Sequence, residues 1–195
     1  MKTLKGTKTA ENLMKSFAGE SQARNRYTFY SSAAKKEGFI QISNLFTETA
    51  GNEKEHAKRF FKFLNDESLM GETIEITANF PVMLSSTKDN LLAAAKGEHE
   101  EWSDLYPAFA DVADEEGFTA IAAVYRFIAE VEKRHEARYR KLLSNMENNK
   151  VFKKDTKVLW KCNNCGYIYE GEEAPIVCPA CAHPKDYFEL FCENY

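Results

Sequence analysis

Cysteine is absent from this 195-residue chain until Cys162, and all five cysteines lie at or beyond that position. Nothing upstream can be cross-linked, which is the wrong distribution for a secreted disulfide scaffold. Long hydrophobic runs are missing too: no apolar stretch approaches the length of a membrane span. Residues 1–8 carry positive charge with no apolar segment behind them, so no secretory signal is expected and a cytoplasmic address is the default. Nor is there an excess of one charge. With 26 Lys and Arg against 30 Asp and Glu, interspersed, there is no basic face for phosphate backbones, and nucleic acid is not an expected partner. What remains is ordinary globular composition, 44% hydrophobic and 29% charged, in a chain long enough to bury a sizeable core.

Periodicity predicts four long amphipathic helices, over 9–36, 39–66, 87–116 and 118–146, with Gly38 and Gly117 as turn residues inside two hairpins. The joining segment 67–86 contains an extended-looking stretch at 72–77 and Pro81, so it reads as a long crossover. The halves repeat. Glu37-Gly38-Phe39 recurs as Glu116-Gly117-Phe118 at an offset of 79, which also carries Tyr27 onto Tyr106, Glu53 onto Glu132 and His56 onto His135. Gly19-Glu20 matches Gly97-Glu98 at an offset of 78, so one extra residue sits between Glu98 and Tyr106. A π-bulge absorbs such an insertion most simply, although Pro107 could also distort the helix locally. The expected architecture is an all-α four-helix bundle over 1–147, a polar link over 148–157 and a small domain over 158–195.

Glu53-x-x-His56 and Glu132-x-x-His135 each put a Glu and a His on one helical face. Counting from the two turns places Glu20 on the first helix, and Glu98 and Glu101 on the third, at the same depth. Five ionised carboxylates at one level of a core would repel one another and lose hydration, so cations must compensate. One Glu from each of two helices plus a Glu-x-x-His from each of the others is a di-iron carboxylate pattern, and iron or manganese suits the donors. Glu101 is surplus to it. Tyr27 and Tyr106, about two turns beyond Glu20 and Glu98, are either core aromatics or hydrogen-bond donors to those carboxylates. Gly19 and Gly97 cost a helix interior stability, for which close helix approach is one reason. Glu55, His99, Glu100 and Glu130 read as a solvated face.

Cys162-x-x-Cys165 and Cys178-x-x-Cys181, separated by 12 residues, form two knuckles of a tetrahedral thiolate site. Spacing leaves the metal open between structural zinc and a one-iron electron-transfer centre. Gly166 and the small residues after Cys181 let backbone N–H groups approach the sulfurs. His183 and Cys192 fall outside the pattern and read as structural or solvent-facing.

Taken together, Gly19-Glu20, Glu53-x-x-His56, Gly97-Glu98-x-x-Glu101, Glu132-x-x-His135, Cys-x-x-Cys-Gly-Tyr and Cys-Pro-x-Cys resemble rubrerythrin over essentially the whole chain. The resemblance implies a ferritin-like di-iron bundle fused to a rubredoxin-like domain, with two non-haem irons and one iron in the four-cysteine site. It further implies a cytoplasmic peroxidase of an anaerobic or microaerophilic microbe, reducing hydrogen peroxide to water. Glu53 and Glu132 would bridge the irons, Glu20 and Glu101 would serve one and Glu98 and His135 the other, and His56 would replace Glu101 on reduction. A head-to-tail homodimer and a separate NAD(P)H-linked reductase are implied as partners. A ferroxidase or iron-storage role is the alternative for the same bundle.

Overall fold

The computed structural model describes residues 3–194. Helix α1 (Lys8–Lys36) pairs with α2 (Ile40–Leu64), and α5 (Thr119–Glu147) pairs with a third bundle helix made of α3 (Thr87–Glu100), a π-helical segment (Glu101–Leu105) and α4 (Tyr106–Glu115). The extra residue of the second half is thus absorbed as a π segment, immediately before Pro107 in the first turn of α4. The crossover follows an irregular path; 72–77, expected to be extended, pairs with no strand among the described residues.

Both hairpin turns close in the same way. Gly38 (φ +84) and Gly117 (φ +76) take the left-handed conformation, and Phe39 and Phe118 donate back to Ala34 and Ala113 carbonyls at 2.8 and 2.7 Å. These are Schellman closures, and they fix where each helix ends. The glutamate before each glycine then reaches across to the other hairpin. Glu116 accepts from the N–H groups of Lys8 and Thr9 at 3.0 and 2.8 Å, and from the Thr9 hydroxyl, at the start of α1. Glu37 accepts from the Thr87 N–H at 3.1 Å, at the start of α3. Each carboxylate satisfies helix N-terminal donors and favours the positive end of the dipole.

The bundle core is stratified. One layer holds Tyr27, Tyr30, Phe46 and Tyr139, with Tyr27 and Tyr139 ring centroids 5.6 Å apart. Another holds Phe60, Tyr106 and Tyr125, with Phe60 and Tyr125 centroids 5.0 Å apart. Along every helix the glutamates of interest fall between these layers.

Strands β1 (Lys153–Cys162), β2 (Ile168–Glu173) and β3 (Phe188–Leu190) form an antiparallel sheet in the order β2-β1-β3. Residues 153–157, expected to be link, instead belong to β1, because the sheet edge provides a partner for Lys153 in Glu173. Trp160 is fully buried and its indole N–H donates to the Gly171 carbonyl at 2.9 Å. The small domain rests on the α1–α2 turn. Phe39 stacks on Phe152 with centroids 6.2 Å apart, and a Cβ at Gly38 would lie 2.6 Å from Asp186 Oδ2.

Replacing Glu116 or Glu37 by alanine is expected to cost about 1 kcal/mol each, the usual size of a lost N-terminal cap. A fall in Tm of about 2–4 °C per substitution in thermal melts checks this.

Candidate metal centres

Six of the seven bundle side chains singled out as ligands converge. Glu20, Glu53, His56 and Glu132 form one group and Glu53, Glu98, Glu132 and His135 another, with donor atoms in each within 4.8 Å of one another. The shared glutamates split their oxygens between the two groups. His56 Nδ1 lies 2.9 Å from Glu53 Oε2 and 2.9 Å from Glu132 Oε1. His135 Nδ1 lies 3.3 Å from Glu53 Oε1 and 2.7 Å from Glu132 Oε2. Short as these contacts are, both imidazole nitrogens and both oxygens of each shared carboxylate lack a partner with hydrogen-bond geometry. Lone pairs converging on common points without hydrogen bonds fit two cations bridged by Glu53 and Glu132.

Glu101 stands apart. It opens the π segment, belongs to neither group, and lines a cavity of about 340 Å³ together with Gly19, Arg26, Gly97, Tyr106 and the crossover residues Thr77–Pro81. Gly19 and Gly97 are not explained by close helix approach. A Cβ at Gly97 would meet nothing within 4 Å and one at Gly19 only the Phe80 ring at 4.0 Å, and both glycines border the cavity instead.

The tyrosines cross the pseudo-symmetry. Tyr27 donates to Glu98 Oε1 at 2.6 Å and Tyr106 to Glu20 Oε1 at 2.5 Å, each hairpin orienting a carboxylate of the other. Burial, then the neighbouring carboxylates, pushes both phenols well above their ordinary range, so both stay protonated donors. A third polar cluster was not anticipated: Glu136 accepts from the Trp102 indole and from Arg140, both at 2.5 Å, and pairs with His99 at 3.1 Å. His99 is therefore not merely solvated. The i, i+4 relation of Glu136 to Arg140 was the legible part of that signal.

Burial and the charges of Glu53 and Glu132 raise Glu98 to about 8; burial, then Glu132 and Glu53, raises Glu20 as well. Glu132 is opposite: burial works against its charge, yet the two imidazoles hold it at about 2. Burial also opposes charge on the imidazoles, but the carboxylates around them raise His56 to about 10 and His135 to about 12. Without cations, protons take their place in this layer.

In the small domain, Cys162, Cys165, Cys178 and Cys181 bring their sulfurs within 4.8 Å of one another. Gly166 (φ +80) and Ala182 (φ +58) turn the two knuckles alike. The backbone N–H of Tyr167 is directed at Cys165 and that of His183 at Cys181, and the latter contact holds Cys181 down at about 6. His183 packs edge-on against Tyr187, while Cys192 is exposed outside the site.

The rubrerythrin family model matches residues 11–143, and the model described as the rubredoxin-like domain of rubrerythrin matches 160–189. The chain belongs to the rubrerythrin family. Rubrerythrin-1 of Clostridium acetobutylicum is 66% identical over the full length of both chains. A structure of partially reduced nigerythrin is 33% identical, covering 97% of this chain and 89% of that one at a TM-score of 0.64. A bacterioferritin of Desulfovibrio desulfuricans shares the fold at 22% identity and a TM-score of 0.65, covering 73% of this chain and 82% of its own. This rubrerythrin chain therefore carries a ferritin-like di-iron site in its Glu and His layer and a rubredoxin-like four-cysteine iron site. Among the described residues, no helix is long and apolar enough to cross a membrane.

Metal removal is expected to invert the pH dependence of stability. Glu98, raised from 4.5 to about 8, contributes stability that is full below 4.5 and lost as pH rises through about 8. His56, raised from 6.5 to about 10, acts in the same direction at higher pH. Chelator-stripped protein should thus melt at progressively lower temperature from about pH 5 to about pH 9, whereas iron-loaded protein, whose ligands must be deprotonated, should not. Rising stability of the stripped protein over that range would count against proton replacement.

Proposed function

We propose that this chain is a peroxidase that reduces hydrogen peroxide to two molecules of water, using two electrons and two protons. The observation that carries the reading is the union, in one chain, of a carboxylate-bridged two-metal layer and a four-thiolate site. The irons, when bound, supply the electron pair for cleavage of the O–O bond. The cavity beside Glu101 and Tyr106 offers a small uncharged substrate a route to the layer, kept open by the missing side chains of Gly19 and Gly97. Tyr106 orients Glu20 and borders that cavity, so its hydroxyl can relay a proton between the two. Tyr27 holds Glu98 in the same manner on the opposite side. The bacterioferritin likeness, at 22% identity, concerns the fold alone.

Electron delivery points to a second copy. Glu132 lies 15 residues before Glu147, so the metal layer is ~22 Å along α5 from the end of the bundle on which the chain's own small domain rests. A shallow depression of about 380 Å³, lined by Asn52, Val131, Arg134 and His135, opens beside the layer, with Phe127 exposed on the same helix. A head-to-tail homodimer would seat one chain's four-cysteine domain there, with a separate NAD(P)H-linked reductase recharging it.

Mixing reduced protein rapidly with peroxide and, separately, with oxygen tests the assignment: oxidation should be faster with peroxide, and faster oxidation by oxygen would overturn it. Heterodimers of a Glu20→Ala chain with a Cys162→Ser chain are expected to regain activity that neither homodimer has, and an inactive mixture would exclude transfer between subunits.

A further inference from the structure

The π segment is held from outside the core. None of its five residues, Glu101–Leu105, is buried, so packing alone does not determine where this helix stores its extra residue. Trp102 lays its ring against the layer of Tyr106 and Tyr125, and among the described residues it is the side chain of the segment that hydrogen-bonds to another helix. Its indole N–H donates to Glu136 Oε2, on α5, at 2.5 Å. The same oxygen lies 3.1 Å from His99 Nδ1, and Glu136 Oε1 accepts from Arg140 Nε at 2.5 Å. His99 packs edge-on against Trp102 with centroids 5.1 Å apart, and Lys133 Nζ sits 5.0 Å from the centre of the Trp102 ring. Glu136 is 8% exposed, and a buried carboxylate with three such partners is rigidly placed.

The first half of the repeat lacks both the π segment and the cluster. There α1 runs as one α-helix over Lys8–Lys36, and the counterpart of Glu136 at the 79-residue offset is Ala57, while those of Trp102 and His99 at the 78-residue offset are Arg24 and Ser21. The cluster is also next to ligands on both helices: His99 follows Glu98, Trp102 follows Glu101 and Glu136 follows His135. Glu98 lies ahead of the π segment in regular helix, whereas Glu101 opens the segment and Tyr106, the donor to Glu20 Oε1, comes directly after it. An insertion that slid one turn toward the C-terminus would rotate the intervening side chains by about 100°, Tyr106 among them, and return Glu101 to a narrow turn. Glu53, Glu98 and His135 would keep their places.

We propose that Glu136 is a positioning residue that locks the π segment in register through Trp102 and His99, and so aims Tyr106 and, through it, Glu20 at the metal layer. The consequence is site-selective. The metal position made by Glu20 and His56 depends on the lock, and the position made by Glu98 and His135 does not. The inference rests on the two-metal geometry of the layer and is independent of the oxidant.

Anaerobic equilibrium dialysis of metal-stripped full-length protein against ferrous ion tests this, with anomalous diffraction assigning occupancy to each bundle position. Glu136→Ala is expected to weaken one bundle iron at least tenfold, within the about 10–100-fold usual for groups that orient metal ligands, and the loss should fall at the Glu20 and His56 position. Glu136→Gln keeps an oxygen that accepts from the indole and should recover most of that affinity. Arg140→Gln, which leaves Trp102 and His99 bonded, should keep all of it, and iron at the four-cysteine site should be unmoved throughout. Equal loss at both bundle positions, loss at the Glu98 and His135 position alone, or full affinity in Glu136→Ala overturns the proposal, as does a Glu136→Gln variant no better than Glu136→Ala. Should Glu136→Ala fail to fold, Trp102→Phe, which keeps a ring and removes the N–H, decides: selective loss at the Glu20 and His56 position supports the lock, and any other pattern overturns it.

Discussion

Buried carboxylates at a single depth dominate the organisation of this chain. Glu20, Glu53, Glu98 and Glu132 are at most 1% exposed, and such groups cannot all be ionised in a core without cations or protons to offset them. The surrounding structure serves that constraint. Aromatic layers close the bundle above and below, Tyr27 and Tyr106 orient a carboxylate each, and the shared oxygens of Glu53 and Glu132 are directed to two points. Such a layer is poorly stabilised as bare protein and well stabilised once loaded, because metal binding energy becomes folding energy.

Duplication builds the layer and a break in duplication makes it asymmetric. The tyrosine contacts and the carboxylate caps both run from one hairpin to the other, so each half completes its neighbour. At the 78-residue offset, the counterpart of Glu101 is Ala23, which is buried in the aromatic layer of the first half. The second half therefore has a carboxylate where the first has a methyl group, and the π segment begins at that residue. A π turn widens the helix and re-aims its side chains, which leaves Glu101 between the metal layer and the cavity.

Much of this was legible in the sequence because it is carried by spacing. Three-residue Glu-to-His steps, equal heights about Gly38 and Gly117, the inserted residue and the two knuckles all follow from counting along regular helices and turns. The features that escaped depend on partners distant in sequence. Nothing in Glu37-Gly38-Phe39 indicates that its glutamate caps a helix 50 residues later, and nothing near Lys153 indicates that the supposed link is pinned in a sheet. The glycines beside Glu20 and Glu98 were visible as anomalies, but only three dimensions show that they border space instead of a neighbouring helix. The four-cysteine spacing likewise left zinc and iron open; the family match supplied the choice.

The same turn geometry also governs how the two metal sites relate. Gly38 ends α1 in a left-handed closure, and the absence of a side chain there lets Asp186 approach, while Phe39 stacks on Phe152. The thiolate domain is thereby seated on the hairpin turn, the part of the bundle axially remote from the carboxylate layer. Since helix length separates them, bending the short link while this seat persists would not close the gap. In the proposed relay, direct transfer between the sites would therefore call for either release of that seat or the layer of a second chain.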